Sequence, residues 1–559
     1  MSPFRHLTKL LPLVVVCAVA TIVAMAARSP LPPAARLPEV GVEVSDLKPA
    51  VARVDAELAA RWKAANIAPA GEAPELQILR RLSLALQGTI PSLEEIRQFE
   101  SDDRPDRLEH WTRRILADKR FADYFAERLA RGLVGKEDGQ FVIYRRGRFI
   151  DWLSEQLREN TPHDEMVRRM ISESGLWTGN PAVNFVTAAI NEGDVDENKL
   201  AGKTVRAFLG QRIDCAQCHD HPFEHWKQQD FEGLAAFYGQ VQQSIVGVED
   251  RPVRDGKAVE YEIEDRKTLE TRVVPCGVPF HPEWLPEEGS RRARLAQWIT
   301  NPANRRFERA IANRVWGLLF GRPYDEPVDD LADPDDEKQD LLDVLGKDFR
   351  EHNCDLRRLI QVVAGSVAFR RASEFELPAD SSRSFGEELA ALKAAEGSWA
   401  VFPLIRLRPE QVIGSIFQSS SMQTADQNSH WVFRVLRLAQ GGQFVREYGD
   451  LGENELQDRG GTIPQRLLMM NGELASGPSG GVNPFATLIA STWRIAAMAS
   501  TDESCVETVY LVCLTRRPTG EELSHFAEQL KGKQKSERQK IVEDLVWTLF
   551  NSTEFSWNH

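Results

Sequence analysis

The stretch Asp214–Trp226, "DCAQCHDHPFEHW", gathers the side chains most able to do chemistry in this chain: Cys215, Cys218, His219, His221 and His225. Only seven cysteines and eleven histidines are spread over 559 residues. A chance C-x-x-C-H should arise in roughly one such sequence in several hundred, which argues for selection. Four chemistries fit the spacing. In the first, Cys215 and Cys218 attach one haem c covalently through thioethers, and the adjoining His219 is its proximal iron ligand. His221 is then too close to reach the other face of the ring, because two residues span only about 7 Å. His225, the distant His281 or an open sixth position are left for that side. In the second, Cys215 and Cys218 with two of His219, His221 and His225 surround a tetrahedral zinc, although these histidines sit closer together than in the usual zinc pattern. In the third, the two cysteines are a redox dithiol, without the βαβ setting such motifs occupy. In the fourth, a disulfide merely ties the loop and the histidines cap helices.

These side chains need elements to hold them. Upstream, "NKLAGKTVRAFLGQRI" puts Leu200, Thr204 and Phe208 on one face with Val205 and Leu209 beside them, which predicts a helix delivering the cluster. Downstream, "DFEGLAAFYGQV" spaces Phe231, Leu234, Ala235 and Tyr238 as a second amphipathic helix. Phe223 and Trp226 add apolar surface between them.

The chain around the cluster predicts a mainly α fold, with two helical domains bridged by a small β-rich segment. Arg5 and Lys9 precede an apolar run from Leu10 to Ala27, with Ala24-Met25-Ala26 as a small-x-small site. Residues 1–27 therefore read as a secretory signal or an uncleaved membrane anchor, and the rest as periplasmic or otherwise extracytoplasmic. A proline-rich linker fills 28–45. Helical periodicity begins with Val51, Val54, Leu58 and Trp62 and marks a domain over 46–240. Across 241–290, "YEIEDRKTLETRVVPCGVPF" alternates apolar and polar residues and predicts short strands. Helices return over 291–559. Two segments echo each other: Pro91–Phe99 and Pro518–Phe526 share register, and Ser92 with Glu95 and Thr519 with Glu522 form capping-box pairs.

Other patterns carry less. The formal charge is −14 with no basic stripe, which excludes nucleic acid as a partner class. Tyr324–Glu337 packs eight carboxylates into fourteen residues. It lacks the EF-hand spacing and reads as a solvated acidic turn rather than a calcium loop. Asn313–Gly321 reads as core helix. Cys276, Cys354, Cys505 and Cys513 are either buried thiols or disulfides whose pairing the spacing does not define. No phosphate loop, nucleophile elbow or H-E-x-x-H is present, so no hydrolase or kinase reading has a motif.

The stretch "FLGQRIDCAQCHDHPFEHWKQQDFEGLAAFY" resembles the core of the planctomycete cytochrome-like domain family, and "RRLSLALQGTIPSLEEIRQF" resembles its opening motif. The block from Ala293 to Leu331, with "LTRRPTGEEL" and the terminal "NSTEFSWNH", resembles the C-terminal domain that accompanies it. The likeness runs from about Leu47 to His559. It implies an exported c-type cytochrome-like module with no established activity, in which Cys215 and Cys218 are the attachment cysteines and His219 the proximal ligand. His221 belongs to the matching His-Pro-Phe. Ala85 departs from the family, whose members often carry Asp there. The expectation is single-electron transfer with an unknown redox partner, such as another exported cytochrome. The rival expectation is a non-catalytic cell-surface binding or scaffold protein, with zinc or a disulfide at the same loop.

Overall fold

A computed structural model describes residues 44–136, 144–191, 194–222, 225–254, 256–264, 269–335, 337–375, 384–426, 444–449, 452, 456, 462–471 and 491–559. The signal or anchor at 1–27, most of the linker at 28–45, and Phe223 lie outside these residues. The fold is mainly α, as the periodicity predicts, and the strands among the described residues form only two-stranded antiparallel sheets. Three of these are consecutive hairpins, Val241–Asp250, Val253–Ala258 and Tyr261–Val274, and they make up the β-rich segment between the helical halves. No helix among the described residues is long and apolar enough to cross a membrane.

One hydrophobic cluster runs through both halves, from Leu47 to Phe555. At its centre lies the helix Arg305–Phe320, which packs on the delivering helix Glu197–Leu209, on Glu75–Gln87, and on Leu341–Glu351 and Leu356–Gly365. Its Trp316 is fully buried and meets Phe320 and Trp399 at centroid distances of 4.4 and 5.2 Å, so Asn313–Gly321 is core, as expected. The first described helix, Val44–Ala65, lies on the C-terminal half. Its Trp62 Nε1–H donates to Ser398 O at 2.8 Å, and its Asp55 accepts from Val367 N at 2.7 Å.

Buried arginines stitch the halves further. Helix Glu75–Gln87 is buried from Ile78 onward, and Arg80 and Arg81 sit in its middle with no exposure. Arg80 donates to the carbonyls of Cys513 and Phe555, and Arg81 to those of Phe369 and Arg371. Burial pulls their pKa values down to about 10 and about 9. Arg128 and Arg131, on helix Lys119–Val134, reach Glu410 at 3.1 and 2.6 Å. Burial alone would raise the Glu410 pKa, but the two guanidinium groups outweigh it and hold the carboxyl below its ordinary value.

Both echoed capping boxes form. Ser92 N donates to Glu95 Oε2 at 2.9 Å and Glu95 N to Ser92 Oγ at 3.1 Å; Thr519 and Glu522 repeat the exchange at 2.7 and 3.2 Å. Of the other cysteines, Cys505 and Cys513 are buried free thiols, and Cys276 and Cys354 are free and half-buried.

Candidate functional site

The delivering helix begins at Asp196, whose carboxylate accepts from Lys199 N at 2.8 Å, and stops at Gly210. Gly210 has φ 64° and ψ 39°, the left-handed conformation that glycine adopts without strain. A short 3₁₀ turn follows over Asp214–Gln217. In such a turn residues three apart fall on the same side. Ile213 and Ala216 therefore share the inner side, where both are buried. Cys215 and Cys218 share the outer side, where both are exposed free thiols. Gly202 lets the turn settle onto the helix, since a Cβ there would lie 2.6 Å from Asp214 Oδ1.

His219 follows on the exposed side. Its Nδ1 lies 2.7 Å from Asp220 O. A carbonyl oxygen can only accept, so Nδ1 carries a proton, and in the neutral ring Nε2 keeps its lone pair. Metal-bound histidines show this same arrangement, one ring nitrogen donating to a carbonyl and the other ligating. The Asp220 side chain does a second job: its Oδ1 accepts from Gln228 N at 2.9 Å and caps the second helix, Gln228–Ala235. That helix is packed tightly at Gly233, where a Cβ would meet Gly277 O at 2.9 Å.

The other two histidines are both tied to Trp226. His221 N donates to Trp226 O at 2.8 Å, closing the loop over a buried Trp226. His225 lies against the Trp226 ring at 4.2 Å and turns its Nδ1 toward Asp333 Oδ2, 3.7 Å away. Among the described residues no group of three or more His, Cys, Asp or Glu side chains is placed to hold a metal ion. The tetrahedral donor set of the zinc reading is thus not assembled there. His281 stacks on Trp284 at 4.0 Å and its Nδ1 meets Glu283 at 2.7 Å.

The turn is gripped from the C-terminal half by residues that sequence reading left in solvent. Leu331 N donates to Gly210 O at 2.6 Å. Gln211 Nε2 donates to Asp333 Oδ1 at 2.6 Å, and Arg212 N to Asp330 Oδ1 at 3.1 Å. The Arg212 guanidinium donates to Asp329 Oδ1 at 3.0 and 2.7 Å. Arg206 joins Asp214 at 2.6 Å to Asp329 at 3.7 Å. Three carboxylates of the acidic stretch are therefore engaged at the site, a correction to the solvated turn. They are long-range partners, so no local pattern could have revealed them; the flanking Arg206 and Arg212 were the only hint.

Cys215 and Cys218 supply two exposed free thiols on one side of the turn and His219 follows them, the residue types that a covalent haem would take. The surrounding rim is charged rather than apolar.

Residues 53–243 match PSCyt2, described as a protein of unknown function (DUF1549), and residues 291–439 match PSD1, described as a protein of unknown function (DUF1553). No curated protein and no solved structure matches the chain.

Proposed function

Because the chain belongs to the planctomycete cytochrome-like domain pair, PSCyt2 followed by PSD1, we propose that it is an exported c-type cytochrome-like protein that passes single electrons. Cys215 and Cys218 would hold one haem through thioethers and His219 would ligate its iron through Nε2. Haem, when bound there, supplies a one-electron iron couple. The carrying observation is the pairing of two outward thiols on one 3₁₀ face with an imidazole whose Nδ1 proton is committed to Asp220 O.

The chain's own residues do the positioning. Ile213 and Ala216 fix the turn from beneath, and Asp220 orients His219 while capping the next helix. Thioether formation consumes thiols, and both cysteines are free. Their exposure leaves the site open to a redox partner, such as another exported cytochrome.

A second reading has one observation in its favour. The rim of ion pairs offers little apolar surface to shelter a macrocycle, which suits a non-catalytic surface or scaffold protein with zinc or a disulfide at the loop. Production in a periplasm with haem-attachment machinery separates the two. The haem reading expects a covalent mass increment of one haem and a reduced visible spectrum, both lost in Cys218→Ala. A colourless protein carrying zinc or a Cys215–Cys218 disulfide overturns it in favour of the second.

A further inference from the structure

Three of the four residues between the delivering helix and the thiol turn are tied to one segment of the C-terminal half. Gly210 accepts from Leu331, Gln211 donates to Asp333, and Arg212 is held twice, at its backbone by Asp330 and at its guanidinium by Asp329. Asp214, which opens the turn, is joined to Asp329 through Arg206. On the far side of the loop His225 faces Asp333 as well. The gripping segment is itself built onto the central helix. Asn313 exchanges side-chain hydrogen bonds with Asp325 at both its backbone N–H and C=O, and Arg306 donates to Asp333 at 2.7 Å.

We propose that the acidic segment 325–333 positions the Cys215–Cys218–His219 turn, with Asp329 as its principal positioning residue. The geometry singles out Asp329. It is only 13% exposed on its side chain, against 41% for Asp333, and it serves both Arg206 and Arg212. The PSCyt2 site is thus completed by a PSD1 residue, which gives a physical reason for the two domains to travel together. Without this grip, Gly210 to Arg212 would lose their polar anchors and the turn would rest on Ile213 and Ala216 beneath it, and a ligand set needs its orientation fixed to within fractions of an ångström. The redox consequence rests on the haem reading; the grip itself does not.

The test uses the full chain without haem, so that it stands apart from that reading. Hydrogen exchange is followed in peptides covering residues 210–222 and 328–334. In Asp329→Asn, both peptides should exchange roughly two- to fivefold faster while Glu75–Gln87 keeps its protection, and Asp329→Glu should restore the slow rate. Should Asp329→Asn unfold the whole chain, Arg212→Gln breaks the same pair from its more exposed partner and should give the same local acceleration. Unchanged exchange in both variants overturns the proposal. In protein that does carry haem, Asp329→Asn should move the midpoint potential and Asp329→Glu should return it toward the original value. Local acceleration in a protein that never takes up haem leaves the grip standing and removes the electron-transfer function.

Discussion

The two halves of the chain are joined in two physically different ways. Under Glu410 the joint is buried: Arg128 and Arg131 are 1% and 7% exposed on their side chains. Beside the thiol turn the joint lies at the surface, where Arg212 is 40% exposed. The contrast separates two tasks. A desolvated ion pair penalises any opening severely, because an unpaired buried charge has no water to turn to. A surface pair adds little to global stability but still fixes direction through hydrogen-bond geometry. One joint holds the molecule closed and the other aims a site.

The strongest way to break this contrast is Glu410→Gln, which removes the carboxylate that Arg128 and Arg131 share and leaves them Glu127, at 3.8 and 3.0 Å. A loss of about 3 kcal/mol, the lower end for a broken buried pair, is expected in urea unfolding. A loss no larger than that of a surface pair would erase the distinction.

His163 extends the test to pH. It is buried between Phe307 and Phe349, and burial pushes its pKa down to about 4. The unfolded chain takes up that proton first as pH falls, near an ordinary pKa of about 6.5. Stability should therefore be full above about pH 6.5 and fall by about 3 kcal/mol toward pH 4. Glu308, pushed up to about 7 by burial, works in the opposite direction over an overlapping range. The His163 contribution is accordingly read from the difference between wild type and His163→Phe. Equal pH slopes in the two would remove it.

Smaller still is Ser92→Ala, which deletes an inward-facing helix cap and should lower stability by about 1 kcal/mol. Thermal unfolding would show it. The smallest global effect belongs to Asp329→Asn, at roughly 0.2–1 kcal/mol, and it should shrink further in high salt. If its global loss instead equals that of Glu410→Gln, the two joints are alike and the aiming role fails.

These distinctions mark how far the chain could be read without coordinates. Helices flanking the cluster follow from the spacing of Leu200, Thr204 and Phe208 and of Phe231, Leu234 and Tyr238, because a period of 3.6 is written locally. The capping boxes and the hairpins between 241 and 274 are local as well. Cys215, Cys218 and His219 were legible as a set because one turn places them. His221 and His225 were grouped with them by proximity in the chain alone, and the fold turns His225 toward Asp333 instead. What stayed hidden is non-local. Nothing in "RRLSLALQ" marks two arginines for complete burial, since their acceptors are carbonyls contributed from hundreds of residues away. Asp329 and Arg212 lie 117 residues apart, and a run of acids beside prolines resembles any solvated loop.

The first helix finds its partners late in the chain. Trp62 finds its acceptor 336 residues downstream, and Asp55 finds its donor 312 residues downstream. A chain synthesised amino end first therefore displays Val54, Leu58 and Trp62 to water long before the surface that covers them has been delivered. During that interval the leading segment is sticky bait for a holding chaperone, and closure of the fold must await nearly three-quarters of the polypeptide.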